Sequence, residues 1–303
     1  MAFDYNGEVF TPLVSGAIQG SIYGLLGLGL VLLYKGNRIF NFVQGEFGSV
    51  SAFMASAVLA GSGFLPKLPY GAAIAVGLVA GTAMGLLTER LVIRPLFRQP
   101  KVTLVVATVG VALLAIAFEL ILTGTNGRAL GPISDGKIFQ TGGLLVTRQQ
   151  GIIVAVLIVL AVASAAFFKL TQTGTAILAV SQEPTATSLV GISVNRISSL
   201  TWGMAGFLGA VAGLLLAGQN AVFLPGFVTT AALIPAFTAA VFGGITSLPG
   251  VFLGGVVIGV IEQFGNSLNF LAELTPGANR VIVFITLLTV LLIKPAGLLG
   301  KEA

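Results

Sequence analysis

Three carboxylates stand inside stretches that are otherwise hydrocarbon: Glu46, Glu119 and Glu262. A carboxylate at the bilayer centre costs roughly 2.5 to 3.5 kcal/mol on insertion scales, so each should face the protein interior, an aqueous path or an interface. Two of them have polar company. Asn41 and Gln44 precede Glu46, while Glu262 and Asn266 are four residues apart, on one helix face, with Gln263 beside them. The chemistry open to such groups is that of a translocation path or gate, taking a polar solute, a proton or a cation. The competing reading is hydrogen bonding between helices, or a place close enough to the interface to stay wet. Both readings stand for Glu46 and Glu262; for Glu119, near the end of its stretch, the second is preferred.

Other chemistry is excluded by composition. The chain has no Cys and no His, which removes thiol nucleophiles, Cys/His zinc sites, disulfides and His general bases. No metal-ligand cluster or nucleophile with a base is visible, so neither a catalytic residue nor a metal or cofactor is expected. GPISDGKI, Gly131 to Ile138, fits the spacing of a phosphate loop. Ile138, however, stands where such a loop needs Ser or Thr to hold magnesium, no buried strand precedes it, and the Gly, Pro and Asp read as turn formers. The chain has no engine of its own. The net charge of +5 would prompt a search for nucleic acid in a soluble protein, but no basic run is interleaved with aromatics, and no nucleic-acid partner is expected.

The elements that carry these groups follow from the solvent. Of 303 residues, 56% are hydrophobic and 8% charged, with mean hydropathy +1.03; a soluble domain spends about a quarter of its residues on charge. The bilayer is therefore the main solvent, and membrane lipid the first partner. A span needs about 20 apolar residues. Candidates are 12–33, 41–61, 70–88, 102–122, 150–168, 197–218, 232–246, 250–268 and 279–294. The expected fold is all-α, a polytopic transmembrane helix bundle of about 8 to 10 spans in one domain, 1–303. Two stretches read as broken or re-entrant segments: 41–61 carries Asn41, Gln44 and Glu46, and 232–246 is short and contains Pro235. The N-terminus carries Asp4 and Glu8 and no positive charge, so the first apolar stretch reads as a retained span. Glycines four apart (16, 20 and 24; 77, 81 and 85; 209 and 213; 250 and 254; 255 and 259) give smooth faces for close helix packing. Similar Gly-rich segments in the two halves, GAIQGSIYGLLGLG and GMAGFLGAVAGLLLAG, hint at an internal repeat.

Basic residues give the orientation. With the N-terminus outside, Lys35, Arg38, Arg90, Arg94, Arg98, Lys101, Lys169, Arg196, Lys294 and Lys301 fall inside, and Lys67, Arg128, Lys137, Arg148 and Arg280 outside. This bias favours N-out and C-in. The longest outside segment is then 123–149, and a cytoplasmic loop runs from about 170 to 196. Within that loop TGTAILAVSQEPTATSLVGIS, Thr173 to Ser193, interrupts the hydrophobe with small and polar residues. Ile177, Leu178, Ala179 and Val180 supply apolar contacts, Glu183 and Pro184 a break and a helix start, and Leu189, Val190 and Ile192 recur before the next span. Two short helices at the membrane face are predicted, offering anchors to a groove. No Lys or Arg lies between Lys169 and Arg196, which favours a protein groove over anionic lipid.

At these residues the chain resembles the permease subunits of ATP-binding-cassette importers, in particular the branched-chain amino acid permease family. AVSQEPTATSLVGISVNRI is similar to that family's coupling loop: Glu183, Pro184, Ala186, Leu189, Gly191, Ile192 and Arg196 match, and Thr187 stands where a second Ala is usual. GSIYGLLGLGLVLLYKGNRIFNFVQGEF, with Gln44 in place of a frequent His, GGITSLPGVFLGGVVIGVIE and the terminal LLIKPAGLLG also match. The resemblance implies a permease in the inner membrane of a bacterial cell that works with two ATP-binding-cassette ATPase subunits, a paralogous permease subunit or a second copy of itself, and an extracytoplasmic solute-binding protein. It assigns ATPase coupling to Glu183, Pro184, Ala186, Leu189, Gly191 and Ile192. The path candidates remain Asn41, Gln44, Glu46, Glu262 and Asn266. Cargo is a branched-chain amino acid or another small polar solute such as urea, a short amide or an aromatic acid. The rival function is an ion-coupled secondary transporter or channel, with Glu46 or Glu262 taking the proton or cation.

Overall fold

The computed structural model describes residues 5–62, 65–141, 144–267, 278–294 and 297–298. In chain order the elements are α1 (Tyr5–Asn37), α2 (Gln44–Ala60), α3 (Tyr70–Thr88) with a π-helical turn at Glu89–Ile93, and α4 (Lys101–Thr123). A two-stranded antiparallel hairpin follows, β1 (Lys137–Thr141) and β2 (Leu144–Thr147). Then come α5 (Arg148–Leu170), α6 (Gln172–Gln182), α7 (Pro184–Leu189), α8 (Val194–Gln219), a π-helical turn at Thr229–Leu233 running into α9 (Ile234–Gly243), α10 (Leu248–Ser267) and α11 (Ala278–Ile293). All nine apolar stretches are helical, and the protein is an all-α polytopic bundle.

Among the described residues six helices are long and apolar enough to cross a membrane: Phe10–Asn37, Tyr70–Ile93, Lys101–Thr123, Arg148–Leu170, Val194–Gln219 and Leu248–Asn266. Three stretches fall short: α11, with 16 residues, and the two marked by polar residues or proline. α2 has 17 residues, about 25 Å of helix against a hydrocarbon core of about 30 Å. The Thr229–Gly243 helix is shorter still. Its π turn stands directly before Pro235, whose ring removes one donor and clashes with the carbonyl a turn earlier, so the ladder reopens there.

α1 is the axis. It is apolar on every side, as a helix surrounded by protein must be, and Leu25, Leu26, Leu28 and Leu32 have no exposure. It packs most extensively on α10 and also on α8, α9 and α5. The glycine faces explain how closely. A Cβ on Gly16 would lie 2.6 Å from Val260 Cα, and one on Gly255 2.5 Å from Gly24 Cα; side chains there would push the backbones apart. A second seam joins α3 to α2 and α8 through Gly77, Gly81 and Gly85, which face Ser51, Phe47 and Trp202 carbonyls. α4 and α5 lie outside these seams, and Val102, Val106, Leu113, Leu114 and Ile121 of α4 are exposed to whatever surrounds the bundle.

The two ends of the bundle differ in charge. At one end Lys35 Nζ donates to Thr246 O (2.7 Å), and Arg94 pairs with buried Glu89 (2.9 Å) and donates to Ser199 Oγ (2.6 Å). Arg38, Lys101 and Gln182 line cavities at this same end. At the other end Arg128 pairs through its backbone with Phe223 and donates from Nη1 to Ser62 Oγ (2.7 Å), and Tyr70 OH donates to Gly131 O (2.9 Å). The hairpin lies within the 123–149 segment, where the sequence reading expected only loop. Lys137, the lysine of the false phosphate loop, opens β1 and not a helix. Lys301 and most of the terminal LLIKPAGLLG motif beyond Lys294 lie outside the described residues.

Candidate functional site

The most unusual backbone lies where the chain leaves α1 and enters α2. Arg38 ends α1 with φ 54°, a left-handed turn rare for a residue with a side chain. Residues 38–43 then turn back into the bundle, so α2 begins beside Gly29 of α1, two turns short of that helix's end. Backbone donors inside a membrane must find partners within the protein, and the polar residues of this stretch provide them. Asn41 Oδ1 accepts from Val43 N (3.1 Å), and Thr108 Oγ1 of α4 accepts from Phe42 N (3.2 Å). Gln44 accepts from Asn41 Nδ2 (3.3 Å) and donates to Ala205 O of α8 (3.0 Å). Asn41 and Gln44 are both buried. Their first role is to hold a broken helix in place.

A second broken segment comes to meet the first. After α8 the chain turns at Gly226 (φ 70°) and starts the Thr229–Gly243 helix deep in the bundle. The two helix starts abut: a Cβ on Gly45 would run into Thr229, and Ser49 Oγ of α2 accepts from Val228 N (3.2 Å). Glu119 of α4 completes the cap, its Oε2 accepting from Gly226 N (2.8 Å). Glu46 lies beside the same glycine: a Cβ on Gly226 would be 3.6 Å from Glu46 Oε1. The junction thus holds two carboxylates at two helix N-termini, which carry about half a positive charge each.

This junction is incompletely satisfied. Glu46 and Glu119 are buried, at 0% and 2% exposure. Oε1 of Glu119 has no hydrogen-bond partner, and the Thr229 and Ser49 hydroxyls stand beside Glu46 without a well-aligned hydrogen bond to its oxygens. Thr229 also lines a cavity of about 440 Å³, with Asn41 as its other polar residue and walls that include Phe40, Phe42, Leu233 and Phe237. That size falls within the range of small-molecule sites, and the lining is of the usual kind, mostly apolar with a few placed polar groups.

The predicted path residues therefore divide. Asn41, Gln44 and Glu46 come together at the junction. Glu262 sits elsewhere, in the seam between α10 and α1, where Tyr23 OH donates to its Oε2 and Gln19 Nε2 donates to Tyr23 OH (3.1 Å). Along the stripe of Glu262, Gln263 and Asn266 the burial changes: Glu262 is buried, while Asn266 is exposed and donates to Gln263 Oε1 (3.3 Å). Glu119, read from sequence as hydrogen-bonded between helices or close to the interface, is hydrogen-bonded at the junction. Only the return of residues 224–228 between α4 and α2 reveals it, and no local pattern in α4 could have done so.

The 173–193 segment forms the two short helices expected of it, α6 and α7, at the basic end. Its faces are divided differently from the sequence reading. Ile177 and Val180 are buried against the chain's own helices, α6 packing on α1, α5 and α8, and so they anchor the foot instead of reaching out. Thr187 is buried too, its Oγ1 donating to Glu183 O (2.7 Å). Glu183, Pro184, Ala186 and Gly191 are exposed, Ile192 is half-buried, and Leu189 and Val190 stand out at 83% and 77% exposure. Gly191 has φ 87°, a left-handed conformation that stops α7 and that glycine adopts without steric cost.

Residues 13–292 match the family model described as "Branched-chain amino acid transport system / permease component". Among curated relatives, the high-affinity branched-chain amino acid transport system permease protein BraD of Pseudomonas aeruginosa is 32% identical over 95% of this chain and 95% of its own length. The corresponding permease protein LivH of Salmonella typhimurium is 29% identical, covering 95% and 94%. The fructose import permease protein FruF of Bifidobacterium longum is 27% identical over 94% of this chain and 80% of its own.

Proposed function

This chain belongs to the family of branched-chain amino acid transport system permease components, and on that premise we propose that it forms the translocation path of an ATP-binding-cassette importer for branched-chain amino acids. The observation that carries this reading is the family match across residues 13–292. The bundle is compatible with it: the path would run past the junction of the two broken helices, where Asn41, Thr229 and an apolar cavity meet. ATP hydrolysis would take place on two separate ATPase subunits that grip the exposed face of α7. A paralogous permease or a second copy would complete the membrane part, and a solute-binding protein would deliver cargo at the hairpin end. The N-terminus would lie outside and the basic end in the cytoplasm, in accord with the positive-inside rule.

Shifting a two-state protein from mostly one conformer to mostly the other requires about 5.5 kcal/mol of differential binding. Closure of an ATPase dimer on α7 would supply it, since α8 follows Gly191 directly and runs the full depth of the bundle. The test is reconstitution in liposomes with the partner subunits and the binding protein. ATP-dependent accumulation of leucine, isoleucine or valine is expected, with none by the chain alone under a proton or sodium gradient. Accumulation by the chain alone would establish the ion-coupled alternative. Accumulation of fructose, urea, a short amide or an aromatic acid in place of leucine would overturn the cargo and leave the class standing.

A further inference from the structure

The acceptors at the junction of the broken helices outnumber their donors, and this imbalance identifies a guest. Buried polar groups are ordinarily hydrogen-bonded, yet Oε1 of Glu119 has no partner, and Glu46 has the Ser49 and Thr229 hydroxyls beside it without a well-aligned hydrogen bond to either. The carboxylate oxygens can only accept when ionised. Glu119 has one oxygen spent on Gly226 N and the other free, and Glu46 stands beside the same glycine. No Lys or Arg is hydrogen-bonded or ion-paired to either carboxylate among the described residues. The two helix starts offset roughly one of the two negative charges, at about half a charge each. One positive charge, a proton or a cation, would balance the remainder.

We propose that Glu46, Glu119 and Thr229 form an intramembrane site for a small monovalent cation. Four oxygens from three side chains fall short of the six to eight that calcium takes and of magnesium's octahedron. No group of three or more acidic or metal-ligating side chains occurs among the described residues, which also disfavours a multivalent metal. Thr229 connects the site to the 440 Å³ cavity. The positive charge can therefore arrive on a free alkali ion or as the ammonium group of an amino acid whose side chain occupies the apolar cavity. The second source rests on the cargo proposed above; the first does not.

The test uses the complete transporter, purified with its partner subunits but without the solute-binding protein, in nanodiscs at constant ionic strength with choline as the inert cation. Thermal unfolding is followed in four separate titrations: sodium chloride, leucine, isopentylamine and 4-methylpentanoate. A saturable rise in Tm with sodium assigns the site to a free ion. A rise with leucine and isopentylamine but not with 4-methylpentanoate, which lacks the amine, assigns it to a cargo-borne ammonium. In either case Glu46→Gln with Glu119→Gln should weaken the response at least tenfold, and Thr229→Val should weaken it less. The absence of any saturable response to sodium, leucine or isopentylamine in the wild type, or one unchanged in the Glu46→Gln, Glu119→Gln protein, overturns the proposal. If the double variant does not assemble, Glu119→Gln alone decides, read by the same titration. Leucine uptake by the wild type with its binding protein, measured in parallel, reports on the proposed function independently.

Discussion

The division of the 173–193 segment, the proposed docking site of the ATPase subunits, into an inward and an outward face makes one prediction sharp enough to separate docking from folding. Leu189 is 83% exposed and its side chain contributes little to the fold. Burying a leucine is worth about 1.5 to 3 kcal/mol, so nearly all of that, roughly 1 to 2.5 kcal/mol, is available to a partner groove. Leu189→Ala should therefore weaken capture of the ATPase subunits by about 5- to 60-fold, at 1.4 kcal/mol per tenfold. Leu189→Asp should do more, because it places an unpaired charge in the same groove. Neither change should alter the thermal stability of the isolated permease. Ile177→Ala is the inverse experiment: Ile177 has no exposure, and truncating a buried isoleucine costs about 2 to 5 kcal/mol of fold stability. Co-purification of ATPase subunits from detergent, ATP-driven uptake in liposomes and unfolding of the permease alone give the three readouts. The reasoning fails if Leu189→Asp retains full co-purification and uptake, or if it lowers the stability of the permease as much as Ile177→Ala does.

Three further outcomes follow from particular contacts. Arg94→Ala should cost about 1 to 3 kcal/mol, read as a lower unfolding midpoint, because Glu89 is fully buried and would keep only Ser199 as a side-chain partner while the partly exposed Arg94 limits the loss; Arg94→Lys should recover part of it. Gly255→Val should abolish stable assembly of the bundle, since a Cβ there already meets Gly24 backbone at 2.5 Å and the seam cannot open without losing packing along α1 and α10; normal yield and stability would refute this. The chain has no cysteine, so Ser188→Cys, on the exposed side of α7, should react with a membrane-impermeant maleimide in inverted vesicles and not in intact cells, and the opposite result would reverse the proposed orientation.

What the sequence revealed and what it withheld have separate physical causes. Solvent leaves its mark residue by residue, so the spans, the two broken stretches and the bias of basic residues could all be read from hydropathy, Pro235 and the polar trio Asn41, Gln44 and Glu46. The glycine faces were legible for the same reason, because a repeat of four is local. Their partners were not. Nothing in Gly16, Gly20 and Gly24 says that they meet Gly255 and Gly259 and not Gly209 and Gly213, and the hairpin at 137–147 was lost among polar residues. In the 173–193 segment the two helices were legible from Pro184 and the apolar spacing, but which apolar residues turn inward depends on α1, α5 and α8. So Ile177 and Leu189, alike in composition, have opposite roles.

Glu119 shows how far such non-local effects reach. In α4 it is a lone carboxylate one turn from a helix end, and by itself it reads as a group hydrogen-bonded to a neighbouring helix or wet at the interface, with no partner named. It becomes part of a site because Gly226 allows the chain to turn at φ 70° between it and Glu46, with Ile116 side-chain atoms at 3.0 Å from where a Cβ would be. Any side chain at position 226 would meet Ile116 and strain the turn together, separating the Thr229–Gly243 helix from its cap. The cap is thus a carboxyl in the membrane interior, where the neighbouring Val228 N–H makes do with the neutral Ser49 hydroxyl. One Glu119 oxygen satisfies Gly226; its other oxygen and the whole Glu46 carboxylate exceed what capping requires, and the burial of that excess beside a cavity is the feature that a purely structural role leaves without a cause.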